Sequence, residues 1–196
     1  MQFDAVHDRL LTTPADPHVR SRMERLATLG LLGGRPDPKF DEFAARLAQI
    51  TGAPFTMVNF ISDREQHFSG LYTPSTVRTG ALESAQNSEY AEPGRRMALD
   101  HGYCPHVIER RKALALDDVC DYPRFAGNPI VDTIGIRSYL GAPLIDRTGT
   151  TLGTVCAIAT EPRSWGRPGI EIIKSMAREL MELIGQREHR SAGHRM

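Results

Sequence analysis

Hydrophobic residues recur at helical spacing in the first part of the chain. From His18 to Gly30 they share one face of a predicted helix, and a Gly-Gly-Arg-Pro sequence at 33–36 ends it. A second helix is predicted from Asp37, which can act as its N-cap, to Gly52. In the first helix, four charged residues lie mostly off the apolar face: Arg20, Arg22, Glu24 and Arg25.

Two later segments predict β-hairpins. The first has apolar strands at 53–61 and 66–71. The second spans Ile136 to Thr160, and its two arms flank a polar turn, 146–149, that ends in glycine. Both arms of this second hairpin are apolar on both faces, which is typical of strands in the centre of a sheet that is covered on both sides.

The other elements are shorter, except for the last helix. Residues 102–111 predict a short helix, 113–119 a strand, and 122–131 a turn followed by one helical turn. A wide apolar face predicts a final helix from Pro168. Because hairpins occur without regular βα alternation, the expected fold class is α+β, with helices packed against an antiparallel sheet.

The same pattern predicts the domain organisation. We expect a flexible N-terminal lead-in at 1–17, a single domain at 18–188 and a flexible tail at 189–196. Residues 72–100 show little periodicity and many small polar residues, which indicates a lid or an insertion within the domain. Within that stretch, 81–90 could form a short helix.

Composition narrows the function classes. Lys plus Arg and Asp plus Glu are both 24, so the net charge is zero and favours neither nucleic acid nor an anionic membrane as a partner. No apolar run is long enough to span a bilayer and no signal peptide is evident, so we expect a cytoplasmic protein. Its three widely spaced cysteines, Cys104, Cys120 and Cys156, fit a reducing compartment rather than a disulfide framework.

Reactive residue types are densest from Asp100 to His106, and three interpretations of Cys104 stay open. Near a helix start its thiolate is favoured, so it could serve redox chemistry or covalent attachment. It could bind a metal with His101 and His106, although a helix would place His106 off the shared face. It could also be a small buried apolar residue, which is the favoured interpretation, and no metal site is predicted.

Four stretches of the chain together resemble the GAF domain family, in its stand-alone bacterial type. RMERLATLGLL followed by FDEFAARLAQITGAPFTMVNFISDREQHF is similar to the family's linker helix, first core helix and first hairpin. GYCPHVIERRKALALDDVCDYPRFAGNPIV and GIRSYLGAPLIDRTGTTLGTVCAIATEPRSW resemble its later helix, strand and signature hairpin. The match runs from about Arg20 to Glu182, and the departure is 72–100, which is longer and more polar than the family's usual segment.

The resemblance carries expectations about fold and partners. It implies a GAF-like central antiparallel sheet of five or six strands, with the first and last helices on one face. On the other face, loops and short helices would form a small-molecule pocket. It also implies a homodimer through the terminal helices, and the apolar faces at Val19 to Gly30 and Ile170 to Ile184 favour such a dimer.

Candidate ligand-binding residues are those that this pocket would present. Asp117 and Asp118 end a strand and could accept hydrogen bonds from a ligand, although such a pair more often caps a turn. Phe125 and Tyr139 could stack on a planar ligand, although buried aromatic residues are more often core. The full predicted set is Tyr103, Cys104, His106, Asp117, Asp118, Phe125, Tyr139 and Thr154. No catalytic residue is predicted, and the cofactor is unknown.

Three functional hypotheses follow. The first is a small-molecule-sensing or dimerising signalling protein with no output domain in the chain, whose terminal helices report to a separate signalling protein. The second is an enzyme, because free-methionine-sulfoxide reductases share the GAF fold and use cysteines. Here these would be Cys104 and Cys120, although the surrounding residues do not match that enzyme's pattern. The third is a structural domain with a filled pocket.

Overall fold

A computed structural model of the chain describes residues 13–74 and 94–193, of which 191–193 are described by their backbone alone. Its elements in chain order are α1 (Val19–Thr28), α2 (Pro38–Thr51), β1 (Phe55–Ile61), β2 (Glu65–Tyr72), β3 (Arg96–Ala98), α3 (Cys104–Arg110), β4 (Leu114–Leu116), a 3-10 turn (Val119–Asp121), α4 (Pro123–Ala126), α5 (Pro129–Ile134), β5 (Ser138–Ile145), β6 (Thr151–Ala159) and α6 (Gly166–Gly193).

The strands form one open antiparallel sheet in the order β3-β2-β1-β6-β5-β4. The predicted α+β class, with a central sheet of five or six strands, is therefore confirmed. Every residue of β1 and β6 is buried, as two-sided apolar strands require in the centre of a covered sheet. Between β1 and β2 the register shifts after Val58, and Ser69 is the extra residue of the bulge.

Helices α1, α2 and α6 cover one face of the sheet. Apolar residues of these helices, including Leu26, Phe43 and Leu180, pack on Phe60 and Val155 of the sheet. The expected position of the first and last helices on one face is thus confirmed, and α2 lies with them. Helix α2 lies close to β2 at Gly70. A Cβ atom at this position would be only 2.3 Å from the Phe40 carbonyl oxygen.

Helix α1 differs from its predicted packing. Arg22, which the spacing places off the apolar face, is only 2% exposed. Its Nε donates to the Ile61 carbonyl at 2.8 Å, and its guanidinium pairs with Asp16. Arg25 pairs with Glu188 of α6 at 2.7 Å. Apolar spacing misses this arrangement because a long Arg side chain can be buried when its donors find acceptors.

The structure also describes some residues beyond the predicted limits of the domain. Helix α6 continues to Gly193, so residues 189–193 are helical where a flexible tail is expected. The Thr13 hydroxyl donates to the Leu99 carbonyl at 3.4 Å, so the end of the predicted lead-in packs on the domain. Strand β3 falls inside the predicted lid, while 75–93, and with it the possible helix at 81–90, lies outside the described residues.

No helix within residues 13–74 and 94–193 is both long enough and apolar enough to cross a membrane.

Candidate functional site

Short helices α3, α4 and α5 cover the opposite face of the sheet, and four of the predicted site residues meet there. The rings of Tyr103 and Tyr139 lie 5.3 Å apart, and those of Tyr103 and Phe125 lie 5.5 Å apart, both edge to face. The His106 ring contacts Phe125 at 5.4 Å. All four side chains are buried, so these aromatic residues form a packed wall rather than an exposed stacking surface.

Asn128 positions the start of α3 above the sheet. Its Oδ1 accepts hydrogen bonds from the backbone N–H of Gly102 at 2.9 Å and of Ile130 at 3.2 Å, and its Nδ2 donates to the Gly102 carbonyl. One buried side chain thus caps α5 and holds the residue that precedes Tyr103. Arg111 ends α3 with φ 52°, a left-handed conformation that is uncommon outside glycine.

Three sulfur atoms lie together beneath the first turn of α3. Cys104 Sγ is 3.8 Å from Cys156 Sγ and 3.4 Å from the Tyr139 hydroxyl. Cys156 Sγ is in turn 3.8 Å from the Met57 thioether. Cys104 is 5% exposed and Cys156 1%, so the two thiols face each other inside the protein.

Polar side chains lie beside the sulfur atoms, on the central strands. Asn59 of β1 and Thr154 of β6 are paired in register, and both are completely buried. Asn59 Nδ2 donates to Gln66 Oε1 at 2.9 Å, and Gln66 Nε2 donates to the carbonyls of Ala98 and His101 at 2.8 and 2.7 Å. Asn59 Oδ1 and Thr154 Oγ1 have no hydrogen-bond partner among the described residues.

The two thiols differ in how readily they ionise. Hydrogen bonding by Cys156 lowers the pKa of Cys104 against the opposing effect of burial, and the Tyr139 hydroxyl, 3.4 Å from Cys104 Sγ, also favours the Cys104 thiolate. The pKa of Cys156 is raised by its hydrogen bond to Cys104 and by burial. Cys104 is therefore the thiol of this pair that ionises first.

The aromatic wall stays neutral over the physiological range. Burial raises the pKa of Tyr103 and that of Tyr139. Burial, together with the charges of Arg124 and Arg110, lowers the pKa of His106 to about 4. At neutral pH the His106 ring is therefore uncharged and packs on Phe125 as an apolar group.

Asp117 and Asp118 lie in structural contacts. Asp117 Oδ1 accepts from the Trp165 backbone N–H at 2.9 Å. Asp118 Oδ1 accepts from the Cys120 N–H and from Arg137 Nε, both at 3.0 Å, and the Arg137 guanidinium lowers the pKa of Asp118. The structure thus matches the turn-capping alternative for this pair, and the ligand-binding role of the two aspartates stays a prediction.

The predicted partnership of Cys104 with Cys120 is replaced by another pair. Cys120 is exposed, whereas the thiol in contact with Cys104 is that of Cys156. Within residues 13–74 and 94–193, no group of three or more His, Cys, Asp and Glu side chains could hold a metal ion. His101 Nδ1 instead contacts Asp100 at 2.7 Å.

Sequence reasoning missed three residues of this site. Cys156 is hidden in the apolar run of β6, and Gln66 lies at the start of a strand. Asn59 could have been identified from the sequence, because it is the one amide in the otherwise mostly apolar strand FTMVNFI. A lone amide in a fully buried strand needs hydrogen-bond partners, so its position indicates a buried polar network.

Comparisons with known proteins give one family. The model described as GAF domain matches residues 35–184. A cyclic di-GMP phosphodiesterase of Pseudomonas aeruginosa is 27% identical over 173 residues, which are 87% of this chain and 26% of that protein. The chain therefore spans about a quarter of the length of this curated relative.

Solved structures with the same fold include an enzyme and a GAF domain of a larger protein. A free methionine-R-sulfoxide reductase from Neisseria meningitidis, in complex with its substrate, has a TM-score of 0.57 at 14% identity and covers 91% of this chain and 96% of its own. The GAF domain of an Acinetobacter phosphoenolpyruvate-protein phosphotransferase has a TM-score of 0.56 at 13% identity, with coverages of 93% and 100%. At these identities the likeness shows the fold alone.

Proposed function

Because this chain belongs to the GAF domain family, we propose that it is a sensory domain that binds a small molecule on the α3–α5 face of its sheet. One observation carries the proposal. Two completely buried oxygen atoms, Asn59 Oδ1 and Thr154 Oγ1, face the same region from paired positions and have no hydrogen-bond partner among the described residues. A buried acceptor without a partner costs about 1–3 kcal/mol, which a bound ligand can recover.

The hydrogen-bond network indicates what the ligand presents. Gln66 Nε2 donates to two backbone carbonyls, so Gln66 Oε1 must face Asn59. Asn59 must then present Nδ2 to Gln66, which leaves its Oδ1 as an open acceptor. The matching ligand group is an N–H or O–H donor, while the Thr154 hydroxyl can either donate or accept.

The surroundings disfavour an anionic ligand. The side chains next to the two open oxygens carry no positive charge: Cys104, Cys156, Met57 and Tyr139. None of these four is a cation that could neutralise a phosphate or carboxylate. The proposed ligand is a small neutral molecule with a hydrogen-bond donor and an apolar part that packs on the aromatic wall.

The homodimer and the separate signalling partner stay predictions. The apolar faces of α1 and α6, which favour dimerisation in the sequence, pack on the chain's own sheet. A dimer would therefore use the outer sides of these helices, where Leu183 is 40% exposed. The reducing, cytoplasmic compartment also stays a prediction, which rests on the wide spacing of the three cysteines in the sequence.

Native mass spectrometry of the reduced protein, purified from its source cell, tests the ligand site. We expect a retained small molecule, and we expect Thr154→Val to lower its affinity about tenfold, since one lost hydrogen bond is worth roughly 1.4 kcal/mol. Thr56→Val is the matched control, because Thr56 is equally buried but donates to Ala44 on the α2 side. Equal affinity in both variants would place the ligand elsewhere, and protein that retains no ligand would favour a structural domain.

The enzyme alternative rests on the thiols. A reductase that acts on free methionine sulfoxide through Cys104 and Cys120 would consume NADPH in the presence of thioredoxin and that substrate. Cys104 contacts Cys156 instead of the exposed Cys120, so the structure offers a different thiol pair from the predicted one. Turnover that disappears in both Cys104→Ser and Cys120→Ser would support the reductase, and turnover unchanged in both would exclude this thiol mechanism.

A further inference from the structure

We propose that Cys104 and Cys156 form a reversible intramolecular disulfide when the protein meets hydrogen peroxide, which makes the buried face of the domain a redox modification site. The disulfide itself needs no ligand. Only its effect on ligand binding rests on the proposed function.

The geometry favours this pair. The two Sγ atoms are 3.8 Å apart, and a disulfide needs about 2.05 Å, so the sulfur atoms must approach by roughly 1.8 Å. Cys104 belongs to the first turn of α3, a helix of only seven residues, while Cys156 lies in the centre of β6. A small movement of a short helix toward a rigid strand can supply the approach, together with a change of side-chain rotamer.

The side chains around the two thiols determine which thiol reacts first with peroxide. Cys104 ionises first, because its contacts with Cys156 and with the Tyr139 hydroxyl stabilise its thiolate. The thiolate attacks one oxygen of the peroxide, the O–O bond breaks, hydroxide leaves, and Cys104 becomes a sulfenic acid. Cys156 then attacks the Cys104 sulfur, its proton leaves with the sulfenic hydroxyl as water, and the S–S bond forms. Two thiols are oxidised and one peroxide is reduced, and an added dithiol reverses the reaction.

Disulfide formation would change the proposed ligand site. Cys156 is two residues from Thr154 on the same strand and the same face, and Cys104 contacts the Tyr139 hydroxyl. The bond ties α3 to the sheet and removes the thiol from its contact with Tyr139. We therefore expect oxidation to change ligand affinity about fivefold or more, the lower end of ordinary coupling between sites.

A Cys120→Ser protein provides the test, because it keeps only the two buried thiols of the chain's three cysteines and leaves the core intact. After peroxide treatment, free thiols are counted in denaturant and the intact mass is measured. We expect both thiols to be lost together, the mass to fall by two hydrogen atoms, and a peptide map to link Cys104 with Cys156 within one chain. Dithiothreitol should restore both thiols.

Matched variants separate this outcome from its competitors. Cys104→Ala and Cys156→Ala, each in the Cys120→Ser background, should form no intramolecular link. The proposal is overturned if oxygen atoms accumulate on Cys104 while Cys156 stays reduced, if the link joins two chains, or if both thiols survive peroxide that oxidises Cys120 in the parent protein. If the two alanine variants do not fold, the Cys120→Ser protein still decides the question.

Ligand measurements keep the two proposals distinguishable. If the disulfide forms and the reduced protein binds no ligand, the proposed sensory function fails while the redox site stands. If the reduced protein binds a ligand and no disulfide forms, the redox site fails and the sensory function stands. Equal affinity in reduced and oxidised protein contradicts the coupling between them.

Discussion

The two faces of the central sheet are built from different chemistry. The face under α1, α2 and α6 is packed with aliphatic and aromatic side chains from helix and strand alike. The face under α3, α4 and α5 also carries two thiols, two tyrosine hydroxyls, a histidine and a buried amide network. Both faces contain many buried side chains, so burial alone does not distinguish them.

The two faces differ in how their buried polar groups are arranged and hydrogen-bonded. On the long-helix face, the Thr56 hydroxyl donates to the Ala44 carbonyl at 2.6 Å. On the short-helix face, Asn59 Oδ1 and Thr154 Oγ1 lie open next to Cys104. Polar atoms such as His67 Nδ1 and Trp165 Nε1 on the long-helix side also lack a partner among the described residues, but the two open oxygens of the short-helix face are paired across neighbouring strands. This contrast supports the proposal that a ligand binds on the short-helix side of the sheet.

The largest expected effect is on the long-helix face. Leu180→Ala removes a completely buried side chain between α6 and the sheet, and we expect it to lower the free energy of unfolding by about 2–5 kcal/mol. Leu183→Ala is the matched control on the same helix, 40% exposed, and should stay within about 0.5 kcal/mol. Denaturant titration measures both. If Leu180→Ala costs no more than its control, α6 does not form the core described above.

A smaller expected effect is a dependence of stability on pH, to which a buried histidine on each face contributes. The pKa of His106 is lowered from 6.5 to about 4 in the folded protein. Between these values the unfolded chain binds a proton that the folded protein does not, so stability is complete above the unfolded pKa and falls as the pH drops from about 6.5 toward 4. The pKa of His67 is lowered as well, chiefly by burial, and should add to the same slope.

Urea unfolding at pH 7 and pH 5 checks this dependence on pH. We expect His106→Gln to lose less stability on acidification than the parent protein. A parent protein whose stability is equal at the two pH values would contradict a buried neutral His106.

The smallest expected effect is the sharpest comparison, because the same substitution should act with opposite sign on the two faces. Thr56→Val removes a satisfied hydrogen bond and should destabilise the ligand-free protein by about 1 kcal/mol. Thr154→Val removes an unsatisfied buried hydroxyl and should leave the free energy of unfolding unchanged or raise it by up to about 1 kcal/mol. Thermal unfolding of ligand-free protein compares them, and an equal loss in both variants would remove the distinction between the faces.

Much of the fold could be predicted from local patterns. Asp37 accepts from the Lys39 N–H at the start of α2, as its N-cap position predicts, and Gly52 ends that helix with φ 66°. The burial of Arg22 could not be predicted from hydrophobic periodicity, because a charged residue is expected to be exposed. Its guanidinium is buried because Asp16 and a strand carbonyl accept its hydrogen bonds. It also missed β3, because three residues are too few to show alternation.

The candidate site was predicted in part. Tyr103, Cys104, His106, Phe125 and Tyr139 do come together, since α3 and α4 cover one end of the hairpin face. Asp117 and Asp118 accept hydrogen bonds from groups of the chain itself: Asp117 from the Trp165 backbone N–H and Asp118 from Arg137. The buried thiol partner of Cys104 lies 52 positions away, and no local signal connects the two cysteines.

The sequence by itself determined the order of the elements, the α+β class and the family, because the spacing of apolar residues and the caps act over a few neighbouring positions. Only the tertiary structure decided which side chains meet across strands. The pairing of Asn59 with Thr154 and the contact of Cys104 with Cys156 depend on strand register, and a slip of one residue would turn these side chains to the other face. Packing of the whole chain sets that register, so the polar capacity of the short-helix face follows from the fold.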